Sequence, residues 1–184
     1  MNDEKIEACK QEVKINPDDA EAHNSLGVVY DQSGMIKEAI ETYKQAIKIN
    51  PDHADAHYNL GLAYGELGKH KETIEAYKQA LRLDPDNASR YIHLANAYGR
   101  VGENEKFVKL YKKALKIDPY NGIVHMQLGF KYAEMGDIDL AFEEYKILKK
   151  LDTELAEALD ESISETKEME RQRRIYEAYE GRNY

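Results

Sequence analysis

Six histidines, one cysteine and a short glycine–lysine stretch are the residues whose types could do chemistry in this chain. Gly65–His70 reads GELGKH, which superficially suggests a phosphate loop. Such a loop needs four residues between its glycines and a Ser or Thr after the lysine, to cradle phosphates and reach a metal. Here two residues separate the glycines and His70 follows Lys69. His23, His57 and His125 would suit a metal, but they occupy one slot in different copies of a repeated phrase. Packed helices lie about 8–10 Å apart, whereas zinc ligands sit about 2 Å from the ion. The three histidines are therefore expected to be partly buried packing residues. Cys9 is alone, so it forms no internal disulfide and no CxxC pair. No GxSxG, HExxH or EF-hand loop is present. The expectation is a protein without catalytic residues, metal or cofactor.

Charge narrows the partners. Net charge is −9 over 184 residues. Non-specific binding to nucleic acid or an anionic membrane needs a basic footprint, so both are excluded as partners. No apolar run approaches the ~18–20 residues that span a bilayer, and the start, MNDEKIEACK, lacks the apolar core of a secretory signal. Together with the single Cys9 this predicts a cytoplasmic protein.

The elements that position these residues are set by a period. Pro17, Pro51, Pro85 and Pro119 stand 34 residues apart, each after Asn or Asp. Residues 16–49 match residues 50–83 at 18 of 34 positions. Numbering slots from Ala20, Ala54, Ala88 and Gly122, slot 7 is always Leu (Leu26, Leu60, Leu94, Leu128) and slot 11 always Tyr (Tyr30, Tyr64, Tyr98, Tyr132). Slot 8 is Gly27, Gly61, Ala95 and Gly129, small enough to admit a close neighbour. Slots 4, 7, 8 and 11 share one helix face. Gly34, Gly68, Gly102 and Gly136 are placed to end that helix in the left-handed conformation. A second helix follows and stops before each Asn/Asp-Pro pair. Asp18, Asp52 and Asp86 are expected to cap the next helix.

With the Leu-Gly-x-x-Tyr phrase, the tyrosines Tyr43, Tyr77, Tyr111 and Tyr145, the alanines Ala46, Ala80 and Ala114, and the closing proline, the chain resembles the tetratricopeptide repeat family. The resemblance implies an all-α fold: a right-handed α-solenoid of antiparallel helix pairs with a concave inner face. Stacking is required physically as well, since one pair cannot bury its apolar faces alone. Residues 1–15 are read as an N-terminal half repeat of the second-helix type, with Ile6, Val13 and Ile15 on its apolar edge. Residues 16–152 are read as four units (about 20–53, 54–87, 88–121 and 122–153). Residues 154–184 are read as a capping helix, with a stripe of Leu155, Leu159, Ile163, Thr166 and Met169 or Glu170, followed by a basic, aromatic tail (Arg171, Arg173, Arg174, Tyr176, Tyr179, Arg182, Tyr184). Two units depart from the pattern. In the third, Asn104 and Phe107 look exchanged, a volume swap within one turn that can keep the packing density. In the fourth, Leu148 replaces Ala.

The family lines its inner face with slots 2, 5, 9, 12 and 13 of each first helix. Slots 5 and 9 here are Asn24 and Val28, Tyr58 and Leu62, Ile92 and Asn96, Met126 and Phe130, a stripe mostly apolar beyond the first unit. Exposed apolar stripes mark binding sites. Slot 6 is Ser25, Asn59, His93 and Gln127, a hydrogen-bonding ladder that could face a peptide backbone. It is similar to the asparagine ladder of the repeats attached to O-linked GlcNAc transferase, though only Asn59 keeps the asparagine. The carboxylate clamp of co-chaperones in this family is missing: its slots hold Asn24, Val28, Asn59, Ser89 and His93, or Tyr58, Leu62, His93, Ile123 and Gln127, with no Lys or Arg. Glu21, Asp31, Asp55, Glu66 and Glu134 add acid, opposed by Arg100.

The expected function is a non-catalytic adaptor or scaffold that holds an apolar peptide or helix with basic residues along this face. Two alternatives stand beside it: a self-assembling homo-oligomer built through the terminal helices, and an accessory repeat fragment of a larger enzyme.

Overall fold

The computed structural model describes residues 2–180, with side chains from residue 3 to residue 174. Arg182 and Tyr184, expected in the basic tail, lie outside the described residues, as do the side chains of Tyr176 and Tyr179. Helices α1 (Asn2–Ile15), α2 (Ala20–Gln32), α3 (Ile36–Ile49), α4 (Ala54–Glu66) and α5 (His70–Leu83) are followed by α6 (Ala88–Arg100), α7 (Asn104–Ile117), α8 (Gly122–Glu134), α9 (Ile138–Leu151) and α10 (Thr153–Glu180). No strand occurs among the described residues. By its contacts the chain forms two compact units, Met1–Leu110 and Tyr111–Tyr184, and the division falls inside α7 rather than between periods.

Four turns repeat one hydrogen-bond pattern. Gly34, Gly68, Gly102 and Gly136 have φ of 75°, 69°, 77° and 81°, the left-handed region that glycine enters without penalty. The residue after each glycine donates its N–H to the slot 11 tyrosine carbonyl: Met35 to Tyr30 at 2.9 Å, Lys69 to Tyr64 at 2.9 Å, Glu103 to Tyr98 at 3.0 Å and Asp137 to Tyr132 at 2.8 Å. This bond closes a Schellman motif and satisfies a carbonyl that the helix end would otherwise leave open.

The helix starts differ from expectation by one residue. The caps are Asp19, His53, Asn87 and Asn121 rather than Asp18, Asp52 and Asp86. A cap must immediately precede the first helical residue, where its side chain reaches the free N–H groups of the first turn. Asp19 accepts from Glu21 N–H at 2.9 Å, and Asn121 accepts from Val124 N–H at 3.2 Å. His53 caps through Nδ1, which accepts from Ala56 N–H at 3.3 Å.

In Met1–Leu110 the core is built from the repeated slots. Ala39, Tyr43, Ala46, Ala76, Tyr77 and Ala80 are buried on α3 and α5, facing Leu26, Leu60 and Ala63. The small residue of slot 8 is filled by a tyrosine ring: a Cβ added at Gly61 would stand 2.6 Å from the Tyr77 ring, and Gly27 meets Tyr43 likewise. The exchange in the third period is accommodated: Phe107 is buried, and its ring lies over Gly99, where a Cβ would be 2.9 Å away. Of the α1 edge, Ile6 is buried while Ile15 stays 74% exposed.

In Tyr111–Tyr184, α10 packs on α8 and α9 through Ala156, Leu159 and Ile163, all fully buried. Leu159, not Tyr145, fills the cradle at Gly129. Leu148 is fully buried in the slot that holds Ala46 and Ala80 elsewhere, and Tyr145 is left half-buried, stacked on Phe142 at 5.3 Å. Met169 is exposed, so the apolar stripe of α10 has faded by that turn.

Candidate functional site

The histidines of slot 4 have a structural task. Their Nε2–H groups donate to the carbonyl of the proline six residues earlier: His23 to Pro17 at 3.0 Å, His57 to Pro51 at 2.9 Å and His125 to Pro119 at 3.0 Å. The ring ties the proline turn to the helix it precedes, a specific bond where general packing was expected. His125 has a second partner. Its Nδ1 lies 2.6 Å from a Glu144 carboxylate oxygen, and both side chains are nearly enclosed. Among the described residues no group of three or more His, Cys, Asp or Glu side chains could hold a metal ion.

Within Met1–Leu110 the predicted site residues of α2, α4 and α6 fall into two kinds. Asn24, expected on an open face, is buried, and its carbonyl oxygen accepts from the Asn59 amide at 3.0 Å. The Tyr58 hydroxyl lies 3.4 Å from His93 Nε2. His93 Nδ1 donates to the Ser89 carbonyl at 2.7 Å, and the Tyr58 hydroxyl also lies 3.3 Å from that nitrogen. Slot 5 of one period thus bonds to slot 6 of the next, twice in succession. The ladder expected to face a peptide spends part of its capacity as rungs between helices. Ser25 turns to Glu21 at 3.4 Å. Val28, Tyr58, Leu62 and Ile92 are half-buried, and Asn96 is exposed.

One residue was missed. Arg90 is buried in a slot that holds Ala22 and Ala56 in earlier periods. Its guanidinium pairs with Asp55 at 2.6 Å and Asp84 at 3.2 Å, donates to the Ala80 carbonyl at 3.2 Å, and lies 5.8 Å from the Tyr58 ring centre. Arg90 draws the Tyr58 hydroxyl pKa down, but burial is stronger and pushes it up. The sequence signal was an arginine in a small-residue slot with an aspartate 35 residues earlier.

These pairings thin out the expected acidic lining. Asp55 is taken by Arg90, Glu21 by His53 at 3.1 Å, and, in the other unit, Glu134 by Lys131 at 2.6 Å. Asp31 and Glu66 form no ion pair among the described residues. One Asp31 carboxyl oxygen is buried with no hydrogen-bond partner among them. Burial, then the charge of Glu66, holds the Asp31 carboxyl above the usual carboxylate range.

A cleft of about 240 Å³ opens between α4, α5 and α6. Leu62 and Glu66 wall it on α4, His70, Thr73 and Tyr77 on α5, and His93, Asn96 and Arg100 on α6. Gly65 leaves room in it by lacking a side chain. Gly65 stands where the first period has Asp31, His70 where it has Ile36, and Thr73 where it has Ala39. A Cβ at Gly65 would meet only Thr73, at 3.8 Å.

In Tyr111–Tyr184 the remaining site residues, Met126, Gln127 and Phe130, lie half-buried on α8, and Ile123 is 62% exposed.

Paired helices with a repeated glycine turn and a shared inner face define an α-solenoid of the helix-pair repeat class. Tetratricopeptide repeat models match residues 29–68, 54–87 and 88–121, and the chain belongs to that family. A crystal structure of MamA is similar at 28% identity and TM-score 0.76, over 83% of this chain and 89% of that one. A second MamA structure gives 27% identity and TM-score 0.71, over 89% and 85%. YrrB, described as a TPR protein with an unusual peptide-binding site, shares the fold at 17% identity and TM-score 0.74, over 88% and 93%. A search of curated proteins finds no match to the sequence. The repeats and these neighbours make the chain a protein–protein interaction module. No described helix is long and apolar enough to cross a membrane.

Proposed function

We propose that the face formed by α2, α4 and α6 binds an extended peptide segment of a partner protein, one that brings apolar side chains and basic residues. The observation that carries this reading is the cleft between α4, α5 and α6, whose apolar lining is Leu62, Tyr77 and Ala97. Concave sites where polar groups converge beside apolar side chains are where ligands are held. Asp31 and Glu66 remain without cationic partners and favour a basic residue in the ligand. YrrB, a protein of the same fold, is described as having a peptide-binding site, which supports the class of ligand. Selection of a displayed random-peptide library on the full chain should enrich apolar, basic sequences. Leu62→Asp should abolish their binding while circular dichroism stays helical; unchanged binding would overturn the reading.

A second reading, self-association, has its own observation. Leu140, Phe142, Ile147 and Leu151 on α9 are each more than a third exposed. Sedimentation across a concentration series decides it: a monomer at all concentrations removes this reading.

A further inference from the structure

The cleft between α4, α5 and α6 carries two unpaired charges of opposite sign. Glu66 and Arg100 both wall it. They occupy the same slot, thirteen, of successive periods, so one charge sits on α4 and the other on α6. Both are exposed, and no ion pair joins them to each other or to any other described side chain. One period earlier the corresponding region holds Asp31 and Gln32 on α2 and Glu66 on α4, with Glu66 close enough to act on Asp31. Gly65 removes the aspartate from the second, and Arg100 replaces the second carboxylate with a guanidinium. Arg100 is close enough to the buried Tyr77 hydroxyl to act on it electrostatically, which places the cation towards the cleft.

Two charges of opposite sign on the walls of one cleft select a ligand by the order of its charges. In an extended peptide, side chains two positions apart share a face and are about 7 Å apart. We propose that the cleft reads a basic and an acidic side chain two positions apart on the bound peptide, the basic one at Glu66 and the acidic one at Arg100. This rests on the peptide-binding reading above and deepens it: charge order, rather than basic character alone, sets specificity. The occupant is a partner's peptide because each wall offers a single charge, complementary to one basic and one acidic side chain on the same face of an extended chain.

The test uses the full chain and two displayed-peptide selections. On the unaltered chain, enriched sequences should carry Lys or Arg two positions from Asp or Glu, in one preferred order. On the double variant Glu66→Lys with Arg100→Glu, which keeps the net charge, the preferred order should reverse. With a synthetic peptide from the first selection, Arg100→Glu alone should weaken binding roughly fivefold, the upper range for an exposed ion pair. Enrichment of apolar peptides without the charge pair, or the same order on both proteins, overturns the proposal and leaves peptide binding standing. Absence of any enrichment overturns both. Displacement of the peptide by a free zwitterionic amino acid assigns the cleft to a small molecule, and a dimer lost on Arg100→Glu assigns it to a second copy; either result overturns the proposal.

Discussion

The pairs α2–α3 and α4–α5, and the pair α8–α9, carry the same glycine in the same slot but fill it from different places. Tyr43 and Tyr77 lie over Gly27 and Gly61 from the second helix of the same pair. At Gly129 the space is taken by Leu159 of α10. The cause is one turn further along the second helix. Ala46 and Ala80 let α3 and α5 come close, whereas Leu148 is fully buried in that slot of α9 and Tyr145 moves to the half-buried side. A repeat slot therefore fixes the space, and the residue one turn away decides which helix fills it.

The largest effects come from emptying those cradles. Tyr77→Ala should destabilise Met1–Leu110 by about 3–5 kcal/mol, the range for a large buried aromatic. Leu159→Ala should cost about 2–5 kcal/mol by the same rule. Hydrogen exchange separates them. The first should lose protection over α4 and α5, the second over α10 and its contacts on α8. Loss of protection in α4 on Leu159→Ala would break the contrast.

A smaller contrast lies in the slot 4 histidines. His57 has the Pro51 carbonyl at 2.9 Å, whereas His125 has both the Pro119 carbonyl and the Glu144 carboxylate at 2.6 Å. His57→Gln should cost about 1 kcal/mol, an ordinary hydrogen bond. His125→Gln should cost about 1.5–3 kcal/mol, as for a bond to a charged group, because it strands Glu144 in a nearly enclosed site. Urea titration of the two variants checks the order. Equal losses would show that Glu144 adds nothing.

These contrasts also mark what could be read beforehand. The four glycines at positive φ, the helix faces and the buried tyrosines Tyr43, Tyr77 and Tyr111 follow from spacing, because a helix cap and an apolar stripe depend on neighbours within one turn. Asn24, Arg90 and the Asn59 and His93 rungs did not, because their partners stand 35 residues away in sequence and share no helix. A stripe seen on one helix says which way a side chain points. It does not say whether the next helix has already claimed it, and Asn24 was assigned to the open face for that reason. The cleft was legible in part. Leu62, His93 and Asn96 were expected on the inner face, but the room beside them comes from the missing side chain of Gly65, with His70 and Thr73 of α5 completing the wall.

The smallest expected effect concerns slot 12, which holds Asp31 in α2 and the buried Ala133 in α8. Burial, with Glu66 adding its charge, raises the Asp31 pKa in the folded state. The protonated form is therefore the one the fold prefers. Stability is fullest below the ordinary carboxylate pKa of about 3.9 and declines as pH rises through the raised folded value, because the unfolded chain gives up the proton first. Asp31→Asn removes that decline. Its melting temperature should exceed that of the unaltered chain modestly at pH 7 and converge with it at pH 3, since both side chains are then neutral. Ala133→Ser, which adds a group that does not titrate, should leave the pH dependence as it was. A melting difference for Asp31→Asn that is the same at both pH values would assign the effect to the unpartnered oxygen rather than to charge. The desolvated carboxylate would then no longer distinguish the first helix pair from the last.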